Sequence, residues 1–262
     1  MTTLREICDL LEHHFPASLA ESWDNVGLLV GDSNCNVGRM MTCLTITPEV
    51  VTEAVREQAN LIVAHHPLPF RPVKRITTDD YVGGMLWKLA NAGIAVYSAH
   101  TAYDSAATGI NQQWTNCLGL ENVQPLIAAS TDPTLGTGRA GDLPKSVSLR
   151  DFALALKNQL SVSWVQIVGA EDRTVRRVGI ACGAGADFFA AAKQAGCHVL
   201  LTGEARFHTC LEATATEVSL VLLGHYVSER PAMEHMAAWL QSQFPALAVW
   251  ASRDEQDPIQ SL

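Results

Sequence analysis

Apolar and polar positions change period repeatedly along this chain. Leu4, Ile7, Cys8 and Leu11 recur at helical spacing, and Thr3 with Glu6 stands where a capping box would close an N-terminus. This pattern predicts a first helix ending near His14, ahead of Pro16. "RMMTCLTIT" (39–47) predicts a strand, and Thr47-Pro48 an N-cap and first turn for a helix to about residue 58. "LIVA" (61–64) is short and wholly apolar, the pattern of a central strand in a parallel sheet. A helix over 80–91 and a strand over 94–99 follow. A stretch rich in Gly, Pro, Ser and Thr (126–144) reads as a connection. Beyond it the pattern predicts helices at 148–159, 186–195, 207–216 and 230–242. Strands are predicted near 163–168, 175–182, 198–202, 218–223 and 246–251. Such alternation predicts an α/β fold with mainly parallel sheets.

The two halves resemble each other. Residues 43–66 lie beside 178–204 as strand, helix ending in a Gln-Ala pair, then apolar strand. His65-His66 falls opposite Gly203-Glu204. The next strand of each half ends in His-x-x-x-carboxylate, His100…Asp104 and His225…Glu229. We read a degenerate duplication, with residues 1–125 as the first α/β repeat and 126–262 as the second. The shared polar residues sit just past the C-terminal ends of buried strands, where open α/β sheets place ligands.

Composition narrows the function classes. The chain has 262 residues, 48 % hydrophobic and 17 % charged, enough to bury a substantial core. A net charge of −9 disfavours generic binding to DNA or an anionic membrane. No apolar run approaches the ~18 residues of a membrane span, and the charged, amphipathic N-terminus has no signal-peptide core. Seven scattered cysteines without a CxxC pair fit reduced thiols and a cytoplasmic location, with Cys182 and Cys197 as small core residues.

Imidazoles and carboxylates are ligands for Fe, Zn, Mn or Ni. Adjacent strand residues point to opposite faces, so His65 and His66 converge on one ion only if the strand has ended, as Pro67 suggests. Otherwise they serve two ions. His65, His66, Asp104, His225 and Glu229 shared between two ions would leave open positions for water, as in dinuclear hydrolytic sites with ions roughly 3.5–4 Å apart. An isolated His-His pair is more often structural. "EHHFP" (12–16) is the internal control: His13 and His14 end a surface helix with no mirrored partner and read as solvated. His198 and His235 read as ordinary residues of their elements, and His208 falls near the second cluster.

Other motifs carry less. Gly136, Gly138 and Gly141 match GxGxxG, but Asp142-Leu143-Pro144 follows where a dinucleotide fingerprint needs a helix. A tight interdomain turn anchored by Arg139 is the better reading. "CGAGAD" (182–187) reads as a turn allowing close packing. Arg71, Lys74 and Arg75 follow the His-His strand and suit the phosphates of a substrate. No GxSxG elbow supports a serine hydrolase.

"SWDNVGLLVGD" (22–32), "LIVAHHPLPF" (61–70), "AHTAYDSAATGIN" (99–111), "GTGRAGDL" (136–143), "LLTGEARFHT" (200–209) and "GHYVSE" (224–229) occur in this order. Together they resemble the NGG-interacting-factor family over nearly the whole chain, without the long inserted domain some members carry. Members bear the name GTP cyclohydrolase I type 2 homologue. The resemblance implies two intertwined α/β repeats with a dinuclear metal centre between them, in a toroidal homohexamer. It implies that His65, His66, Asp104, His225 and Glu229 are the metal ligands and that His100 lines the same site. It places Trp23 and Asp24 in a motif expected to buttress the site or a subunit contact. The reading that follows is a metal-dependent hydrolase of a small nucleotide-like or phosphorylated substrate. It has two divalent ions per chain, His100 as proton shuttle, and Arg71, Lys74 and Arg75 contacting substrate. The alternative is a non-enzymatic, metal-dependent regulatory or interaction protein.

Overall fold

The computed structural model describes residues 1–130 and 132–260. Thr131, in the Gly/Pro-rich connection, and residues 261–262, at the end of the expected second repeat, lie outside the described residues. Two compact units emerge: Met1–Tyr103 with Arg230–Asp257, and Asp104–Glu229 with the residues from Pro258.

In chain order the first stretch contains α1 (Leu4–His14), β1 (Gly27–Val30), β2 (Arg39–Cys43), α2 (Pro48–Arg56), β3 (Leu61–Ala64), α3 (Tyr81–Asn91), β4 (Ala95–Ser98) and α4 (His100–Ser105). The middle stretch contains α5 (Ile110–Cys117), β5 (Glu121–Gln124), β6 (Ile127–Ala128), β7 (Gly136–Thr137), β8 (Arg139–Ser148), α6 (Leu149–Leu160) and β9 (Gln166–Val168). It continues with β10 (Thr174–Ala181), α7 (Phe189–Gln194), β11 (Val199–Thr202), α8 (Phe207–Ala215) and β12 (Ser219–Leu222). Helix α9 (His225–Gln243) and β13 (Ala248–Ala251) close the chain. The chain passes from one unit to the other within α4 and again within α9.

In the first unit the sheet order is β1-β4-β3-β2-β13, parallel throughout except for β1 against β4. Helices form where the sequence caps them: Thr3 and Glu6 make the reciprocal capping box of α1, and Thr47 caps α2 with Pro48 in its first turn. Val50 and Ala54 of α2 and Met85, Leu86 and Leu89 of α3 pack on Met41, Ile62 and Val96 of the sheet. Each of these side chains larger than alanine contributes about 1.5–3 kcal/mol on full burial. Two buried carboxylates fasten the C-terminal segment. Glu53 accepts from Ser252 Oγ at 2.6 Å, from Trp250 Nε1 at 3.1 Å, and from the backbone N–H groups of Arg253 and Asp254. Burial pushes the Glu53 carboxyl up, and these hydrogen bonds outweigh it and hold it below its ordinary value. Glu255 accepts from the N–H groups of Leu44 and Thr45 and pairs with Arg230 Nε at 2.7 Å.

The second unit has the sheet order β5-β8-β10-β11-β12-β9, with β10, β11 and β12 parallel and the flanking pairs antiparallel. Its core joins Phe189 and Ala192 of α7, Ala213 of α8 and the strand residues Leu200, Leu220 and Leu222. Two expectations change here. Much of the supposed connection is the long strand β8, paired on both sides. Its glycine and proline are placed for that role: a Cβ on Gly141 would stand 2.9 Å from Leu120 Cβ, and Pro144 falls where pairing with β10 skips register. The GxGxxG segment lies inside this unit, so it is not an interdomain turn. Arg139 does anchor it: its buried guanidinium donates to the carbonyls of Gly136, Gly138, Ser105 and Ala106 and to Gln112 Oε1.

All seven cysteines are free thiols. Cys197 is a core residue, whereas Cys182 is only half-buried. No helix among the described residues is long and apolar enough to cross a membrane.

Candidate metal centre

In the first unit the site grows from the end of β3. The regular strand stops at Ala64, yet the backbone keeps its pairing direction: His65 N–H donates to Cys43 O at 2.9 Å and His66 N–H to Leu44 O at 2.8 Å. The chain bends here, so the two imidazoles do not diverge. Their centroids lie 5.1 Å apart. His100, the first residue of α4, stands 5.1 Å from His65 and 5.5 Å from His66. One ring nitrogen from each of the three falls within 4.8 Å of the others. His65 is 1 % exposed, and its two companions are half-buried.

Outer partners hold these rings. Thr45 Oγ1 is hydrogen-bonded to His66 Nδ1 at 2.7 Å, and Glu255 fixes the Thr45 backbone. Ser98 Oγ donates to His65 O at 2.6 Å. Asp24 faces His100: Oδ1 meets His100 Nδ1 at 2.7 Å, while Oδ2 accepts from the Thr101 N–H and hydroxyl. Burial pushes the Asp24 carboxyl up, and the His100 and Thr101 hydrogen bonds outweigh that and bring it to about 2. Asp24 is therefore a fixed anion that orients His100 Nδ1 toward itself and leaves Nε2 for chemistry. The same contacts hold His100 at φ +24°, a left-handed conformation non-glycine residues avoid. Arg71, Lys74 and Arg75 are exposed on the loop after β3. They line a cavity of about 690 Å³ together with Asp79 and Asp80.

In the second unit the segments just past β11 and β12 carry carboxylates. His225 opens α9, its Nδ1 3.0 Å from Glu204 Oε1 and its Nε2 3.0 Å from Glu229 Oε2, one helical turn on. Hydrogen bonding to Glu229 raises His225 to about 9, against burial and with added help from Glu204. A glycine turn makes the room. Gly183 O accepts from the N–H groups of Gly203 and Glu204, and its own N–H donates to Ser228 Oγ at 2.9 Å. A Cβ at Gly183 would collide with Glu229 Oε1 and stand 3.2 Å from His225 Nε2. Asp104 belongs to this unit; Asn111 donates to its carbonyl and accepts from Cys182 N–H. Burial, then the charges of Glu229 and Asp104, push the Cys182 thiol well above its ordinary value, so Cys182 borders this cluster.

The structure thus brings His65, His66 and His100 together in one unit, and His225 with Glu229 in the other. His208 is exposed beside Phe207 on α8. His198 accepts from Arg177 N–H, an ordinary structural bond. Glu204 and Thr45 are site residues outside the set of sequence candidates. For Glu204 the sequence nonetheless carries a signal, since laying the two halves side by side sets it opposite His66. Nothing in the pattern marks Thr45.

The donor set suits a divalent transition metal: imidazoles in one unit, carboxylates and an imidazole in the other, with hydrogen-bonded outer partners on His66, His100 and His225. A profile of the family described as Duf34/NIF3 (NGG1p interacting factor 3) matches residues 2–258. A Clostridium acetobutylicum protein named GTP cyclohydrolase 1 type 2 homolog is 30 % identical over 94 % of this chain and 92 % of its own. A Streptomyces coelicolor protein of the same name is 32 % identical over 92 % of this chain and 86 % of its own. Among solved structures, a Bacillus cereus protein related to NIF3 superposes with a TM-score of 0.92 at 25 % identity, covering 100 % of this chain and 99 % of that one.

Proposed function

This chain belongs to the Duf34/NIF3 family, and on that premise we propose that it is a metal-dependent hydrolase of a small nucleotide-like or phosphorylated substrate. The observation that carries the reading is the triangle of His65, His66 and His100, with Asp24 and Thr45 behind it. His65, His66, Asp104, His225 and Glu229 would hold two divalent ions, of Fe, Zn, Mn or Ni. The arrangement along the chain supports this. Both His-x-x-x-carboxylate motifs fall where the chain passes between units, in α4 and α9. The proposal includes a duplicated α/β architecture, a toroidal homohexamer and a cytoplasmic location.

Ions held there would supply Lewis acidity and activation of water. The protein's own groups do the rest. His100 moves a proton at Nε2 while Asp24 keeps Nδ1 in place. Arg71, Lys74 and Arg75 receive substrate phosphates. The relatives' shared name makes hydrolytic opening of the GTP imidazole ring the first reaction to try. The test is turnover of GTP and a metabolite panel by metal-loaded protein. Activity lost in Asp104→Ala and Glu229→Ala supports the mechanism, and activity intact in both contradicts it.

A second reading, a metal-dependent interaction protein, is favoured by Phe207 and Leu211. They stand 73 % and 48 % exposed, one turn apart on α8. Loss of partner binding on chelation, with no turnover of any substrate, would select it.

A further inference from the structure

Trp23 and Phe70 stand beside the imidazole cluster without joining its hydrogen-bonded framework. Their ring centroids are 5.9 Å apart and their planes tilted by 56°. Trp23 lies 5.9 Å and Phe70 6.1 Å from the His100 ring. Both remain open to solvent, 59 % and 47 % exposed. Two large aromatic rings on neighbouring loops would ordinarily turn inward and bury their faces. Here the loops are fixed from below. Asp24, next to Trp23, is held by His100 and Thr101. Asn25 Nδ2 donates to Pro69 O at 2.8 Å, which ties the Trp23 loop to the Phe70 loop. The rings are thus preorganised, and largely exposed, at the edge of the candidate site.

We propose that Trp23 and Phe70 form a ring-binding subsite that takes the planar heteroaromatic part of a nucleotide-like substrate and sets it against His100. The inference rests on the reading above, that this site takes such a substrate. Two rings tilted by 56° offer one face for stacking and a second for edge contact. Stacking of this kind accepts any planar base, so the subsite selects a ring without selecting which base. Arg71, Lys74 and Arg75 follow on the same loop, three cations that line one cavity with Phe70, Asp79 and Asp80. A ligand with a ring on the aromatic pair and its phosphates on that loop matches both chemistries at once. An apolar partner surface would match only the first.

The test is equilibrium binding of GMP and of ribose 5-phosphate, which lacks the ring, to the full-length chain with its metal content measured. GMP binding should weaken about tenfold or more in Trp23→Ala, less in Phe70→Ala, and survive in Trp23→Phe. Ribose 5-phosphate should bind all four proteins alike. Equal GMP affinity in wild type and Trp23→Ala overturns the proposal, as does wild type that binds GMP no better than ribose 5-phosphate. If Trp23→Ala instead alters the oligomeric state by light scattering and weakens both ligands equally, the rings are a subunit contact and the proposal fails. Because binding is read without turnover, the two readings separate. Ring-dependent GMP binding by a protein with no turnover leaves the subsite standing and removes the hydrolase. Turnover that is indifferent to Trp23 does the reverse.

Discussion

The chain contains two His-His pairs with nearly the same local geometry. The rings of His13 and His14 lie 5.2 Å apart at 48°, and those of His65 and His66 lie 5.1 Å apart at 50°. Spacing therefore does not distinguish them. His13 and His14 are exposed at the end of α1, where His14 meets Trp239. His65 and His66 stand at the end of a fully buried strand, with His100 as a third imidazole and Thr45 and Asp24 orienting two of the three rings. Two adjacent histidines become a candidate site through a third donor and through partners that orient the rings of His66 and His100.

The contrast is broken most strongly by removing ligands from one pair and then the other. His65→Ala or His66→Ala should lower affinity for Zn or Fe more than about 100-fold, beyond the usual cost of losing an outer partner. His13→Ala with His14→Ala should leave it unchanged; competition against a calibrated chelator measures both. The next two changes leave the His65–His66 pair intact and alter other groups of the candidate centre. Gly183→Ala drives a methyl group into Glu229 and His225 at a backbone φ of +61°. It should lower metal affinity up to about 100-fold. Metal binding unaffected by it would mean that the histidine triangle suffices. Asp24→Asn removes the anion behind His100 and should cost about tenfold in metal affinity or turnover. Its pH–rate profile should shift as well, which a merely structural role would not produce.

The smallest effect belongs to the exposed pair. Burial, then the charge of His13, hold His14 below its ordinary value of 6.5. The folded chain thus takes up that proton less readily than the unfolded one. The associated stability is fully present above pH 6.5 and is lost as pH falls through the folded value. His14→Gln should flatten the melting-temperature profile slightly below pH 6.5 and leave metal content alone. A matching change in metal content would erase the contrast between the pairs.

The apolar runs made most of the first sheet legible, because β2, β3 and β4 are buried runs with capped or loop-bounded ends. Less legible were elements whose residues answer to neighbours. β1 is half-buried throughout and carries no period of its own, and β8 looks like a loop until β5 and β10 pair with it. For α9 the sequence pattern predicts a helix over 230–242. It begins at His225 and carries Pro231 internally, so both His225 and Glu229 are helical. That early start sets the two residues on one face, 3.0 Å apart. The candidate residues were visible as chemistry at strand ends. Of their holders, Asp24 stands in a motif read as a buttress, whereas nothing marks Thr45, which reaches His66 across 21 positions of sequence.

Metal content of the purified chain tests the central claim most directly. Mass-spectrometric elemental analysis of the wild type should find about two first-row transition-metal ions per chain. Glu229→Gln and His66→Ala should each lose most of that load, and the His13→Ala, His14→Ala double variant should match the wild type. A wild type that stays metal-free after reconstitution, or a His66→Ala variant with the full load, would contradict the account.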